Sequence, residues 1–452
     1  MTTSAGRGNY RWIICSLLFF STTVNYMDRQ VISYLKEFYC TPAAQGGFGW
    51  TNREFGHLTS AFTGFYACMT VLAGWVIDKI GTRVGLALSL TIWSLLGIAN
   101  AFAGALVTTH ILIRSAFGIG EAGNFPASIK TVAEWFPKRE RALATGIFNS
   151  GSNCGAMIAS LLVPWCMIHF GDQRGWKMAF VITGVTGFLW LIFWFWLYEI
   201  PTRQKRLSRA EYDYIHIDDA VAADAKDGDK AKRVPWGSLF GFRQTWAFIS
   251  GKFMTDGIWW FYLFWLPDYL NKQFGMTNRD VMLPTFVVYG VAIMGSVCGG
   301  SIPMTMIKRG MEVYKARMAA MLLIAICPLA VLTTQYFGNV SHFGKMAAVL
   351  AVATICVGAA AHQAWSANLF TTVSDMFPKN AVASVIGIGT MAGGIGGVII
   401  QEVAGGLNDY FKATPQTAYL VMFVICALSY LTAWFMMKLL VPRFEPIRLP
   451  TS

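Results

Sequence analysis

The feature that most restricts the fold of this chain is a series of twelve apolar runs, because each is long enough to cross a lipid bilayer as a helix, which takes about 20 residues. Only 13% of the 452 residues are charged, whereas soluble domains have about 25%. We therefore predict an all-α integral membrane protein with twelve transmembrane helices. The runs lie at 11–34, 57–77, 85–106, 109–133, 141–167, 177–198, 245–270, 281–307, 316–337, 345–371, 381–406 and 416–440.

The two halves of the sequence resemble each other weakly. The letters FPK occur at 136–138 and again at 377–379, each time after the fourth run of a half. The same offset pairs Glu121 with His362. Duplicated six-helix halves are typical of secondary transporters, whose substrate site lies between the halves. This predicts two pseudo-symmetric six-helix bundles, and we divide the chain into an N-terminal bundle (1–200), a linker (201–244) and a C-terminal bundle (245–452).

Basic residues mark one side of the predicted membrane domain. They concentrate in alternate loops and in the linker 201–244, as in cytoplasmic loops. With an even number of spans, both termini are expected on that cytoplasmic side. This distribution explains the net charge of +12 without nucleic acid as a partner. The linker is polar and is expected to be solvated, with short helices on the membrane surface as one option.

The loop between the second and third runs carries a recognisable motif. GWVIDKIGTR, from Gly74 to Arg83, resembles the signature loop of the major facilitator superfamily. Gly74 permits close helix approach, and Asp78 lies where the amino end of the eleventh span offers partial positive charge. The resemblance implies that Asp78 and Arg83 help latch the halves together in the outward-open state. The alternative is that both are ordinary loop charges.

Longer stretches favour one branch of that superfamily. The segment from Arg114 to Ser160, which begins RSAFGIGEAGNFPASIK, and the AHQA at 361–364 closely resemble bacterial hexuronate transporters of the anion:cation symporter family. These are relatives of galactonate transporters and of animal sialin. The resemblance implies a bacterial inner-membrane protein that carries a sugar acid such as glucuronate or galacturonate inward together with protons. An aldonate carrier and a sugar-acid sensor without net transport remain alternatives.

Glu121 is the strongest candidate for a proton-carrying group. It lies about twelve residues into the fourth run, near the middle of the membrane, where a charge is costly and needs a reason. Arg114 precedes it by seven residues and so shares its helix face. We predict that Arg114 is its partner and tunes its proton affinity. The alternative is a permanently ionised structural pair.

Asp28 and Arg29 form a second intramembrane charge pair, in the outer half of the first run. Neighbouring residues on a helix point about 100° apart, so one can face a cavity while the other turns towards the fourth helix. Resemblance to galactonate carriers implies that Arg29 contacts the substrate carboxylate and that Asp28 takes a proton. An interfacial ion pair is the alternative.

Further polar residues are expected to line the substrate site. Lys252 and Asp256 are four residues apart in the seventh run and can pair on one face. Trp259 and Trp260 follow them, suited to stacking on a sugar ring; packing aromatics are the alternative. The remaining candidates for substrate contact are Tyr26, Tyr66, Asn149, Ser152, His362, Gln363 and Asn368.

The sequence contains no phosphate-binding loop, nucleophile elbow or zinc motif. We therefore predict a transporter and no enzyme, without metal or cofactor. The expected partners are a small sugar acid, protons and the lipid bilayer, and the protein is expected to be a monomer.

Overall fold

The computed structural model describes residues 8–217, 236–377, 379–443 and 447, and the secondary structure of this part is entirely helical. Part of the predicted linker (218–235) and Pro378 of the second FPK lie outside the described residues. The N-terminal half contains α1 (Tyr10–Tyr34), α2 (Lys36–Cys40), a 3-10 turn (Ala43–Gln45), α3 (Asn52–Ile80), α4 (Thr82–Asn100), α5 (Val107–Glu121), α6 (Asn124–Trp135) and α7 (Lys138–Leu197).

The remaining helices follow in the linker and the C-terminal half. They are α8 (Arg209–Ile215), α9 (Trp236–Leu239), α10 (Arg243–Phe274), α11 (Met282–Lys308), α12 (Val313–Ile326), a 3-10 segment (Cys327–Thr333), α13 (Thr334–Phe337), α14 (Val340–Phe343), α15 (Met346–Met376), α16 (Lys379–Tyr410) and α17 (Pro415–Leu440).

These helices make the twelve predicted passes. Helix α7 contains two of them, separated at Gly171, whose φ of 70° breaks the helical path. Helices α5 and α6 form one interrupted pass, and α12 continues through the 3-10 segment into α13 as another. Eight of the described helices are long and apolar enough to span a membrane by composition, α7 among them. The three passes that fall short are α1, α5–α6 and α10, which hold the predicted charged site residues.

The linker is less solvated than its composition predicted. Glu211 of α8 is buried, at 1% exposure, beneath the start of α1. Its carboxylate accepts hydrogen bonds from the backbone N–H of Tyr10 (3.1 Å) and of Arg11 (3.0 Å). Because these N–H groups have no partner within the helix, an acidic side chain there caps the positive end of α1. The linker helix α8 is thereby fixed to the N-terminal half.

Helices α11 and α15 pack very closely, because small residues face each other. A Cβ atom on Gly299 would lie 2.2 Å from the Cβ of Ala364. The Asn368 amide donates to the Gly299 carbonyl oxygen at 2.9 Å and to that of Ala364 at 2.9 Å. Asn368 was predicted to contact substrate, but here it is 1% exposed and joins two helices. The close backbone approach places its amide against a carbonyl of α11 in this conformation, and its contact with substrate stays a prediction.

Replacing Gly299 by alanine is expected to destabilise the protein by about 1–3 kcal/mol, because the added methyl overpacks the interface with Ala364. Gly300→Ala is the matched control, since a Cβ at Gly300 would meet nothing within 4 Å. Thermal unfolding of both variants in detergent measures the difference. Equal Tm values would show that α11 and α15 are not held this closely.

The two ends of the bundle differ in how the halves meet. We call the end that carries residues 35–51 the loop face and the opposite end the terminal face. The start of α1 lies at the terminal face, where Tyr10 donates to the Leu197 carbonyl oxygen at 2.6 Å. At the loop face, α3 and α16 approach so closely that a Cβ on Gly56 would lie 2.9 Å from the Gln401 carbonyl oxygen. The halves are therefore in backbone contact at this end.

Buried charges join the halves at the loop face. The Lys36 ammonium lies 2.7 Å from Asp268 Oδ1, and Lys272 lies 3.1 Å from Asp268 Oδ2. Both ammonium groups also donate to Asn52 Oδ1, at 2.8 Å and 3.0 Å. Tyr419 donates a further hydrogen bond to Asp268. Residues 36 and 52 belong to the first half and 268 and 272 to the second, so this network holds the loop face closed.

Sequence reasoning missed this network. Lys36 and Asn52 lie in or beside the long outer loop, and Asp268 and Lys272 lie near the end of a span, where charges are ordinary. A second contact between the halves joins the His57 ring to Glu402 at 2.7 Å. Glu402, near the end of α16, therefore has a partner in the other half.

Replacing Asp268 by asparagine is expected to open the loop face. Loss of the carboxylate leaves two ammonium groups facing each other without their counterion, and breaking a buried pair in this way costs about 3–5 kcal/mol. A cost of this size can shift a two-state equilibrium by orders of magnitude. Spin labels at Ala44 and Ala413, in a background without native cysteines, should report a longer distance across the loop face.

The control for this experiment is Asp280→Asn, which removes a carboxylate from the loop between α10 and α11 that hydrogen bonds only locally, to Thr277. That variant should leave the label distance unchanged. A distance distribution for Asp268→Asn that matches the unsubstituted protein would contradict a role for Asp268 in closure.

Candidate substrate and proton site

A buried ion pair lies at the centre of the N-terminal half. Arg29 Nε of α1 donates to Glu121 Oε1 of α5 at 3.0 Å. The two side chains are 1% and 0% exposed. Burial of either charge alone would be strongly unfavourable, so each stabilises the ionised form of the other. Glu121 is the last residue of α5, immediately before the break to α6.

Aromatic rings surround the guanidinium group of Arg29. Its central carbon lies 4.2 Å from the ring centroid of Tyr26, 4.7 Å from that of Tyr66 and 5.0 Å from that of Trp260. A cation near the faces of aromatic rings is stabilised by their quadrupoles. The set brings together three predicted residues. Trp260 belongs to α10, so the C-terminal half contributes to the surroundings of the cation.

Phe62 also belongs to this group, and nothing in its sequence position indicated it. Its ring centroid lies 5.4 Å from the guanidinium carbon of Arg29 and 5.4 Å from that of Arg114. A phenylalanine within an apolar run looks like any other core residue. Its position between two arginines depends on how α1, α3 and α5 pack.

Arg114 forms no direct ion pair with Glu121 in the described structure, although its charge is within electrostatic range of that carboxylate, and the predicted tuning of the carboxylate's proton affinity stays a prediction. Seven residues of α-helix rise about 10.5 Å, which is too far for a direct ion pair. Arg114 Nη2 instead donates to the carbonyl oxygen of Arg29 at 3.0 Å. Its Nε and Nη1 are buried and have no hydrogen-bond partner in the described structure. Arg29, from another helix, takes the place beside Glu121.

Asp28 does not join the hydrogen bond between Arg29 and Glu121. Its Oδ1 would lie 4.0 Å from a Cβ on Gly97 of α4, and its side chain is within electrostatic range of Thr183, Trp93, Glu121 and Arg114. Both carboxylate oxygens are buried and accept no hydrogen bond in the described structure. This geometry agrees with the expectation that the side chains of Asp28 and Arg29 point towards different parts of the protein. Of the two, Arg29 forms the ion pair with α5, which belongs to the fourth span.

The C-terminal half holds a second polar cluster. The Lys252 ammonium lies 2.5 Å from Asp256 Oδ2, as their spacing on α10 predicted. His362 Nδ1 lies 2.8 Å from the Tyr430 hydroxyl oxygen, and its ring stacks on Trp259 with centroids 5.1 Å apart. Trp259 was expected to stack on a sugar, but in this state it stacks on His362. Tyr430 was not identified from the sequence.

The remaining predicted lining residues have mixed positions. Asn149 is exposed and Gln363 is half-buried, so both side chains are accessible. Ser152 donates to the Asn149 carbonyl oxygen at 2.7 Å, within its own helix. A Cβ on Gly155 would lie 2.9 Å from Tyr26 Cβ, so α7 runs directly alongside α1 at this level.

The predicted gating residues lie at the terminal face and make contacts within the N-terminal half. Asp78 pairs with Lys130 at 3.0 Å and is 57% exposed, and Arg83 pairs with Glu199. The expected approach of Asp78 to the start of α16 is absent from the described contacts. The halves meet at the loop face in this conformation, and the latch between Asp78 and the start of α16 stays a prediction. Gly74 lies beside α6, where a Cβ on this glycine would be 4.0 Å from the Cβ of residue 126.

Two bundles of six helices, with charged clusters in both halves, define the architecture of a secondary transporter. The family model of the Major Facilitator Superfamily matches residues 18–401. The chain therefore belongs to the major facilitator superfamily. It is a multi-pass membrane transporter and not an enzyme.

Individual relatives narrow the comparison. The chain is 28% identical to the hexuronate transporter of Escherichia coli (strain K12) over 435 residues, which cover 95% of this chain and 94% of the relative. It is 28% identical to the D-galactonate transporter of Escherichia coli O6:H1 over 434 residues, with 95% and 96% covered. The crystal structure of a D-xylose-proton symporter superimposes with a TM-score of 0.72 at 15% identity, covering 97% and 98% of the two chains. That last similarity shows the fold. The relatives support transport of sugar acids.

Proposed function

We propose that this protein carries hexuronates such as glucuronate and galacturonate, together with protons, across a bacterial inner membrane by alternating access. The buried pair of Arg29 with Glu121 is the observation that carries this proposal. It supplies a cation suited to a carboxylate and, at the same position, a group that can take a proton. Similarity to a hexuronate transporter suggests the class of carboxylate.

The pair suggests how proton and substrate are coupled. Arg29 Nε is occupied by Glu121 in this state, so a substrate carboxylate must replace Glu121 at the guanidinium. Protonation of Glu121 removes its charge and releases Arg29 for the substrate. Proton binding and substrate binding therefore favour each other, and this relation is reciprocal by linkage. When the carrier is empty and Glu121 is ionised, Arg29 stays paired with Glu121. Substrate then cannot bind without a proton, so the carrier does not transport it uncoupled.

The membrane potential makes this coupling necessary. Moving a monoanion into a cell with a negative interior costs about 2.3 kcal/mol per 100 mV. One proton makes the transported complex neutral, and a second makes uptake electrically favourable. We assign the first proton to Glu121 and a second one to Asp28, whose buried oxygens have no hydrogen-bond donor in the described structure. Arg114, which binds the backbone of Arg29, positions that residue.

The orientation and the sugar contacts complete the proposal. We place the terminal face and both chain termini in the cytoplasm, because the basic loops lie there. The structure then corresponds to a state closed towards the outside. The sugar hydroxyls are assigned to the accessible polar groups Gln363 and Asn149 and to the pair His362–Tyr430. The protein is proposed to work as a monomer.

Uptake into proteoliposomes tests the proposal. Labelled glucuronate or galacturonate should accumulate when a pH gradient, acidic outside, is imposed, and a protonophore should abolish the accumulation. Vesicles without protein provide the background. If neither compound accumulates while a pH-sensitive dye confirms the gradient, the proposed function is wrong.

Galactonate is the alternative substrate, favoured by the similarity to a D-galactonate transporter over nearly the whole chain. The open-chain aldonate also has one carboxylate, so Arg29 and Glu121 would serve it equally well. Competition decides between them. Unlabelled galactonate that inhibits uptake at much lower concentration than glucuronate would identify an aldonate carrier.

A further inference from the structure

The site contains two cations from different halves, and they are neutralised differently. Arg29 is paired with Glu121, a residue of another helix. Lys252 is paired with Asp256 of its own helix, one turn away, at 2.5 Å. An i, i+4 pair within one helix moves as a unit, whereas the pair of Arg29 can separate when the helices shift. Lys252 therefore keeps its counterion through a rocking motion of the halves.

Asp256 of α10 packs against α16. A Cβ on Gly393 of α16 would lie 2.3 Å from Asp256 Oδ2, so the carboxylate rests against bare backbone. Its side chain is 18% exposed, whereas that of Lys252 is 7% exposed. Water and ligands therefore reach the anion of this pair more readily than the cation. The Lys252 ammonium is covered further by Phe370, whose ring centroid is 4.7 Å away.

Helix α10 connects the surroundings of the two cations. Trp260, which contacts Arg29, is eight residues beyond Lys252, a rise of about 12 Å along α10. Asp256 lies between them, four residues or about 6 Å before Trp260. A six-carbon chain with a carboxylate at each end spans about 6 Å between its terminal carbons, because each of its five bonds of about 1.5 Å advances only about 1.25 Å along an extended zigzag. Without Asp256, Arg29 and Lys252 could bind both ends of such a molecule.

We propose that Asp256 determines specificity by charge: it neutralises Lys252 and so restricts the site to sugar acids with one carboxylate. A dicarboxylate entering with one end at Arg29 meets the anion of Asp256 at its other end and is repelled. This inference rests on the proposed function, because it assumes that Arg29 binds the first carboxylate. It assigns Asp256 a role in rejecting dianions, in addition to any contact with the sugar.

The groups around the pair fit this role. Trp259, His362 and Tyr430 are joined by ring stacking and a hydrogen bond and present no formal negative charge. In the described part of this cluster, Asp256 is the acidic side chain and Lys252 the basic one. Removing the carboxylate of Asp256 therefore changes the cluster from neutral to positive.

The test compares affinities for glucuronate and for galactarate, a six-carbon dicarboxylate, in purified protein by isothermal titration calorimetry at pH 6, where Glu121 can still take the proton that frees Arg29. At that pH the carboxyl groups of both compounds are ionised. Unsubstituted protein should bind glucuronate at least about tenfold more tightly, which corresponds to 1.4 kcal/mol. In Asp256→Asn, the ratio of galactarate to glucuronate affinity should rise at least tenfold. In the double variant Lys252→Met/Asp256→Asn, the ratio should fall back.

The outcomes are distinguishable. Equal binding of both compounds by the unsubstituted protein, or an unchanged ratio in Asp256→Asn, overturns this inference and leaves the proposed function standing. Binding of neither compound by the unsubstituted protein rejects both. A ratio that rises equally in the single and double variants shows a steric effect of Asp256 and also overturns the inference. Asp256→Ser, which removes the same charge, replaces Asp256→Asn if the latter does not fold.

Discussion

Replacement of Glu121 by glutamine is expected to abolish proton-driven accumulation of substrate while exchange of substrate across the membrane continues. Glutamine resembles the protonated carboxyl group in shape and neutrality, so Arg29 is always free to bind a carboxylate. Without a titrating group at this position, substrate binding no longer depends on a proton. A carrier in this condition equilibrates substrate but does not concentrate it.

Two assays on the same proteoliposomes separate these effects. Accumulation driven by a pH gradient should fall to background in Glu121→Gln, and counterflow from preloaded vesicles should persist. The control is Glu312→Gln, an exposed residue paired locally with Lys315 at 3.1 Å, which should retain both activities. Concentrative uptake by Glu121→Gln would show that the essential proton is carried elsewhere, with Asp28 as the next candidate.

Replacement of Arg29 by lysine is expected to weaken substrate binding by about 100-fold. Lysine keeps the charge but loses the planar group that can bind a carboxylate with two parallel hydrogen bonds. A hydrogen bond between charged groups contributes about 1.5–3 kcal/mol, so the loss of one accounts for the expected change. The lysine side chain is also shorter than that of arginine, so its charge would lie less deeply among the rings of Tyr26, Tyr66 and Trp260.

Calorimetry and counterflow kinetics should both show a reduced affinity for substrate in Arg29→Lys, while the variant remains folded. The matched control is Arg53→Lys, an exposed arginine at the loop face whose backbone N–H, not its side chain, bonds to Asp409. Unchanged affinity in Arg29→Lys would remove Arg29 from the substrate site and, with it, the exchange between Glu121 and substrate.

Helix periodicity alone predicted the contacts within one helix. It could not predict contacts between helices, because those depend on how the helices are positioned against each other. The spacing of Lys252 and Asp256 on one helix determined their contact, because local pairs at i, i+4 depend only on helical geometry. The spacing of Arg114 and Glu121 indicated a shared face but did not reveal that Arg29 is the direct partner of Glu121. Two residues on one face can be too far apart along the axis, and a residue of another helix, Arg29, fills the position.

The sequence by itself determined the class of this protein. A segment that crosses the hydrocarbon must have its backbone N–H and C=O groups paired, and an apolar run of about 20 residues achieves this within itself as a helix. The cost of charge in that environment also made the buried charged residues identifiable without a structure. Phe62 and Tyr430 had no such signal, because aromatic residues are ordinary in apolar runs.

The tertiary structure alone decided which charges meet and at which end the halves close. The pairing of Arg29 with Glu121 joins residues 92 positions apart in the chain, and the contact of Lys36 with Asp268 joins the two halves. Such contacts depend on how helices are rotated and shifted against each other. Small residues such as Gly56 and Gly393 allow helices to approach closely and so determine how they are positioned against each other. The pattern of apolar residues along one helix does not reveal that positioning.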